Sequence, residues 1–244
     1  MDSPRESQDQ SQQILHNLRL ASYDAAGIPR DMWQYTLEHW NERETTSQDQ
    51  FDPDQTLARR RSKHFVQRYM DLLPLVCARG SVHVKEGLVH RPVVSLIFEG
   101  KNRSGKTFLA SMIAKAACDK GMGHKTKYIE WGDIVDIMKM DSYSLIESQF
   151  EIKSLFQDSR LLCVANVEEL GDLRPSAYSN MRNLIRTRLN TGYPTVLTTS
   201  FYPSTEHPWA DLIHDQRTFR IVLPTPRAAA TKPIGTLISK NSSE

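Results

Sequence analysis

The hydrophobic positions change period along the chain. Residues 1–13 are Ser-, Gln- and Asp-rich with no apolar period, and residues 224–244 are equally polar. Both ends are therefore expected to be flexible tails. Ile14, Leu15, Leu18 and Ala21 form one stripe and predict a short helix, followed by a loop at Gly27-Ile28-Pro29 and an aromatic lead-in with Trp33, Tyr35 and Trp40. Beyond the polar run 41–54, Leu57, Phe65, Tyr69, Leu72 and Val76 fall at helical spacing, with the basic cluster from Arg59 to Lys63 on the exposed face. From Pro92 the pattern becomes a strand (93–98), a Gly-containing loop, and a helix ending near Gly121 with Phe108, Leu109, Met112, Ile113 and Ala116 on one side. Further strands are predicted at 126–131, 161–167 and 195–199. Between them come an apolar-periodic stretch (Ile134, Val135, Ile137, Met138), a helix over 144–157, and one carrying Met181, Leu184, Ile185 and Leu189. Strands alternating with helices at this spacing predict an α/β fold, its parallel sheet covered on both faces.

Composition narrows the function classes. The formal charge of +2 across 244 residues supplies no bulk attraction to nucleic acid, membrane or acidic ligands, so any basic site must be local. Cys77, Cys118 and Cys163 match neither a disulfide framework nor metal-ligand pairs. The longest apolar runs fall far short of the ~20 residues of a membrane span, and no apolar stretch follows a basic start. A cytoplasmic protein without membrane attachment is expected.

The segment Gly100-Lys101-Asn102-Arg103-Ser104-Gly105-Lys106-Thr107 satisfies the Walker A spacing, Gly, four residues, then Gly-Lys-Thr. Glycine lets the backbone wrap until successive N–H groups point at a β-phosphate, and the helix starting at Gly105 adds its positive dipole end. Gly100, Asn102, Arg103, Ser104, Gly105, Lys106, Thr107 and Phe108 are thus the expected nucleotide cradle. In it Lys106 bridges the β- and γ-phosphates and the Thr107 hydroxyl ligates Mg²⁺. The cofactors expected are ATP and Mg²⁺. A second acidic element must hold the metal and orient water. Glu168 and Glu169 end the run 161–167, where a strand would deliver them to the same sheet edge.

On these residues the sequence resembles the AAA+ helicase loaders of the DnaC and DnaI type and the related IstB transposition ATPases. Ala26-Gly27-Ile28-Pro29 through Thr36-Leu37-Glu38-His39-Trp40 looks like the family's segment before the ATPase core. Glu168-Glu169-Leu170-Gly171 is similar to its Walker B ending, and 194–200 to its sensor 1 strand. The resemblance implies a three-layer core (54–223) with a parallel sheet between helices and a reduced or absent lid. A helical lead-in (1–53), a candidate partner-binding segment, precedes the core, and a flexible tail (224–244) follows it. It implies that Glu168 serves the metal, Glu169 orients water, Ser200 is sensor 1, and Arg188 is an arginine finger reaching a neighbouring subunit. A nucleotide-dependent homo-oligomer on single-stranded DNA would follow; Lys139, Tyr143 and Lys153 of the extra helical element in 132–160 belong either to a solvated helix with a few core aromatics or to a surface touching that strand.

The departures bear on turnover. Arg103 stands where the family usually has Gly, Glu168 where it has Asp, and Ser200 where Asn is common. Read one register earlier, the third strand would put Asn166 at the metal position. Arg182 and Arg186 share a helix face, either a solvent stripe or a subunit interface. Three functions stay open: a loader or remodeller of a replicative helicase, which is favoured; an accessory ATPase working with a transposase; and a nucleotide-binding scaffold with little hydrolysis.

Overall fold

The structure, a computed structural model, describes residues 4–40, 53–77, 95–139, 145–168, 175–201 and 204–224. Alternating residues of a strand face opposite sides of a sheet, and here each parity meets its own core. In β1 (Ser95–Glu99), Leu96 and Phe98 enter one cluster and Ile97 the other. Five strands run parallel in the order β2-β3-β4-β1-β5, with β2 (Thr126–Glu130), β3 (Leu161–Val167), β4 (Thr195–Thr199) and β5 (Thr218–Val222). The first core lies under α1 (Pro4–Ala25), the lead-in, α2 (Pro53–Val76) and α3 (Lys106–Ala117). Packed on the other are α4 (Trp131–Lys139), α5 (Leu145–Asp158), α6 (Pro175–Thr191) and the single turn α7 (Ala210–Ile213). This is the α/β three-layer arrangement expected. No helix among the described residues is long and apolar enough to cross a membrane.

Three expectations need correction. The polar N-terminus is helical from Pro4, making α1 22 residues long: proline suits the first helical position, and no glycine or further proline interrupts the run up to Ala25. In α2 the buried stripe is Arg59, Ser62, Val66, Tyr69 and Leu73, continued by Cys77 just beyond its end, while Leu57 and Leu72 are exposed. Tyr69, with Phe65 and Val76 partly buried, keeps part of the expected face on the core, and the Arg59 guanidinium lies over the Trp40 ring at 4.0 Å, so the basic cluster is not wholly solvated. A fifth strand, β5, also escaped the pattern. Phe219, Arg220 and Val222 are exposed on this edge strand, which hides its alternation.

The lead-in is part of the first core. Tyr23, Ala26, Ile28, Leu37 and Trp40 are all at most 5% exposed. An aromatic of this kind removes ~150–250 Å² from water, roughly 4–6 kcal/mol gross for Trp40 alone. The lead-in also covers the outer edge of β2, where the Tyr128 N–H donates to the Ala26 carbonyl at 2.7 Å. Lys115, buried on α3, donates to the carbonyls of Met32 (3.2 Å), Trp33 (2.7 Å) and Tyr35, clasping the strap along the helix.

On the opposite face, Arg182 and Arg186 of α6 converge on Asp211 of α7. Arg182 donates from two nitrogens at 3.0 and 3.1 Å, and Arg186 from one at 2.6 Å. The pair expected on a solvent stripe or interface is thus engaged within the chain. Arg182's hydrogen bonds, then those of Arg186, hold Asp211 down to about 2 against the opposing effect of burial. A depressed carboxylate stabilises the fold above its unfolded pKa and loses that contribution as pH falls through its folded one. Urea unfolding of the Asp211→Asn variant should therefore show a deficit against the parent from pH 7 to about 4 that shrinks towards pH 2. A pH-independent deficit would contradict this assignment.

Candidate functional site

Strand β1 ends at Glu99, and the chain turns through 100–105 into α3. Glycine is required at two points. A Cβ on Gly100 would lie 2.7 Å from the Ser104 Oγ and 2.9 Å from the Leu223 carbonyl oxygen. Gly105 sits at φ +92°, where a Cβ would meet the Trp40 ring at 2.4 Å. Trp40 in turn stacks on Phe108 with centroids 5.8 Å apart and donates its indole N–H to the Arg59 carbonyl at 3.4 Å. The lead-in thus packs directly beneath the 100–107 loop. Arg103 adopts the left-handed conformation, at φ +67°, at a cost of order 1–2 kcal/mol.

The loop has the chemistry of an anion cradle. Gly105 caps α3 with no side-chain hydrogen bond, leaving the first-turn N–H groups of Lys106, Thr107 and Phe108 without intrahelical partners. The buried Ser104 Oγ meets no hydrogen-bond partner among the described residues. Lys106 is 6% exposed, and its ammonium folds back to donate to the carbonyls of Gly100 (2.5 Å) and Lys101 (3.0 Å). Burial pulls its pKa down, and no carboxylate pairs with it among the described residues. A cation held only by neutral carbonyls beside uncapped amides fits the phosphates of a nucleotide. The Phe108 side chain is committed to the core, so only its backbone N–H is available to a ligand. Asn102 is exposed and Thr107 half-buried.

The neighbouring strand ends complete the edge. Glu99 is in register with Thr199, whose carbonyl accepts the Gly100 N–H at 3.2 Å, so the exposed Ser200 follows directly beside the root of the loop. Glu168, also exposed, follows the end of β3 on this same edge. Its carbonyl accepts a hydrogen bond from the Nε2 of buried His207 at 3.2 Å, while the His207 Nδ1 accepts the Trp209 N–H at 3.3 Å. Asn166, the alternative metal position, directs its amide away from the loop, donating to Glu130 of β2 at 2.8 Å. Glu169 and Tyr143 lie outside the described residues. Lys139 and Lys153 are exposed, while Trp131, Ile134, Ile152 and Phe156 tie their helices to the second core.

Arg188 is not where a finger must be. It is 1% exposed and donates within the chain to the Thr195 Oγ1 (2.8 Å), the carbonyls of Phe156 (2.9 Å), Ser159 (2.7 Å) and Pro194 (2.6 Å), and the Ser159 Oγ (3.1 Å). Burial lowers its pKa to about 9, leaving it charged at neutral pH. A guanidinium so engaged cannot reach a neighbouring subunit's nucleotide, and the expectation is corrected to a structural staple. Sequence reasoning missed Trp40 as the wedge under the loop, Lys115 as the clasp, and His207. Each works through a contact far away along the chain, which no local spacing encodes.

No protein-family model matches the chain, and no curated protein matches its sequence significantly. Solved structures do share its fold. The DnaC helicase loader superposes with a TM-score of 0.52 at 15% identity, over 80% of this chain and 100% of that one. DnaI gives 0.52 at 15% identity, over 80% and 94%. A replication initiator DnaA bound to AMPPCP and single-stranded DNA gives 0.53 at 14%, over 81% and 52%. At these identities the likeness establishes the fold, a five-stranded parallel sheet between helix layers, and nothing finer.

Proposed function

We propose that this chain binds ATP and Mg²⁺, self-assembles on DNA, and loads or remodels a replicative helicase. The carrying observation is the phosphate loop itself, with Lys106 held by neutral carbonyls beside uncapped helix amides. The helicase-loader and AMPPCP-bound relatives support the reading. Thr107 and Glu168 would hold Mg²⁺, Ser200 would contact the γ-phosphate, and Glu169 would orient the attacking water. The metal supplies charge neutralisation at the phosphates when bound. Lys139 and Lys153 offer cations to a single strand. The internal engagement of Arg188 favours, as a second reading, a nucleotide-binding scaffold with slow turnover.

The partner-binding element proposed is the outer part of α1. Its C-terminal part is anchored to the body, with Arg19 bidentate to Asp119 at 2.6 Å and the Tyr23 hydroxyl donating to the same carboxylate. Ile14, Leu15 and Leu18 remain 59%, 67% and 63% exposed, a stripe suited to a groove on another protein. The test combines Ile14→Gln, Leu15→Gln and Leu18→Gln, which spare the buried Tyr23. Pull-downs with ATP present use the cognate replicative helicase and any encoded transposase as bait. The intact chain should capture the helicase and the triple variant should not, while both bind labelled ATP equally. Capture of the transposase alone would overturn the loader reading.

A further inference from the structure

Strand β3 contains one residue too many. Val164 is in register with Leu197 but Val167 with Thr199, three steps on β3 against two on β4, so a bulge lies between them. Core membership shows the consequence. Leu161, Cys163 and Ala165 face the α3 side and Leu162 and Val164 the other, yet Val167 also joins that second core, in the seat an unbroken strand would give residue 166. Asn166 is the residue that absorbs the slip. It stands at φ +54°, a conformation asparagine tolerates better than other non-glycine residues. Its N–H donates to the Thr198 Oγ1 (2.8 Å) and its Nδ2 to the Glu130 Oε2 (2.8 Å), tying β2, β3 and β4 together at their C-terminal ends. Two residues later the Glu168 carbonyl is held by His207.

We propose that Asn166 is a positioning residue whose bulge turns the acidic end of β3 toward the α3 face, where the phosphate loop lies. Without the bulge, the alternation would put Val167 on the α3 side and Glu168 on the opposite one, since a one-residue slip exchanges the faces of a strand. The bulge, in place of an unbroken strand through residue 166, is therefore what reconciles Glu168 with the loop, and Glu130 and Thr198 hold it in place. This role rests on the nucleotide-binding reading. The conformational part, that Asn166 sets the phase of Val167, does not.

Two variants separate phase from mere bulk. Asn166→Val puts a β-branched residue where φ is positive and offers an apolar side chain for the Val167 seat, so the strand should straighten and Glu168 change face. Deleting Asn166 removes the bulge yet leaves Val167 and Glu168 in their present phase. The readouts are ATP affinity with and without Mg²⁺, turnover, and the nuclear Overhauser contacts of the methyls at positions 166 and 167. Asn166→Val should bind ATP like the parent in EDTA, lose the affinity gained with Mg²⁺, and drop turnover roughly 100-fold, the size expected of a displaced catalytic group. The methyls of the substituted side chain should take over the contacts to the second core. The deletion should keep Mg²⁺ dependence and turnover within about threefold. Val167 keeping its seat in Asn166→Val would overturn the proposal, as would the deletion losing Mg²⁺ dependence as the substitution does. A parent that binds no nucleotide would instead sink the functional reading, and the methyl contacts would still decide the role of Asn166.

Discussion

Arg188→Ala should unfold far more readily than the parent, with a loss of about 3–4 kcal/mol and a fall in Tm of roughly 10 °C. The guanidinium satisfies three carbonyls and two hydroxyls that have no water to turn to. Truncation strands them and leaves a cavity at a site 1% exposed. Because Phe156 lies in the last turn of α5 and Pro194 just before β4, the side chain closes a helix C-terminus onto the sheet, where a cation is favoured by the helix dipole. Relief of the buried charge offsets part of the loss. For that reason Arg188→Met, which restores volume without the donors, should recover only a fraction. Arg188→Lys should fare little better, since one ammonium cannot span donors arranged as a fork. Chemical denaturation checks this. A variant as stable as the parent but defective in nucleotide-dependent assembly would restore the arginine finger.

The sequence revealed the layers and the strand-to-helix turn at 100–105 because both depend on local signals. The uninterrupted apolar run 161–165 and the β-branched run 195–199 report strands buried on two faces, and the Gly-Lys-Thr spacing reports the strand-to-helix turn. What it hid depends on meetings between distant residues. Trp40 looks like any lead-in aromatic until Gly105, 65 positions on, is found to leave no room for a Cβ against it. Arg188 matches a finger by position, yet the depth of α6 against α5 decides that it is a staple. The bulge at Asn166 could not be read from spacing either, since a bulge changes phase without changing composition. Here the neighbouring strand supplies the ruler, through the register of Val164 and Val167 against β4.

Lys106→Ala should cost nucleotide affinity rather than stability. The ammonium now makes two hydrogen bonds to carbonyls of its own loop, and burial penalises its charge, lowering its pKa. Removing it from the free protein therefore trades a small loss for relief from desolvation, and Tm should stay within a few degrees. With ATP the balance reverses, because the same ammonium would exchange neutral carbonyls for phosphate oxygens. Charge-assisted bonds of that kind are worth up to about 3 kcal/mol, so Kd should rise roughly 100-fold. At an ATP concentration ~100 times the parent's Kd, the parent gains about 2.7 kcal/mol of apparent stability and the variant about 0.4. A thermal-shift titration with MgATP should accordingly show a clear rise for the parent and almost none for Lys106→Ala. Equal shifts in the two proteins would mean that nucleotide binds somewhere other than this loop.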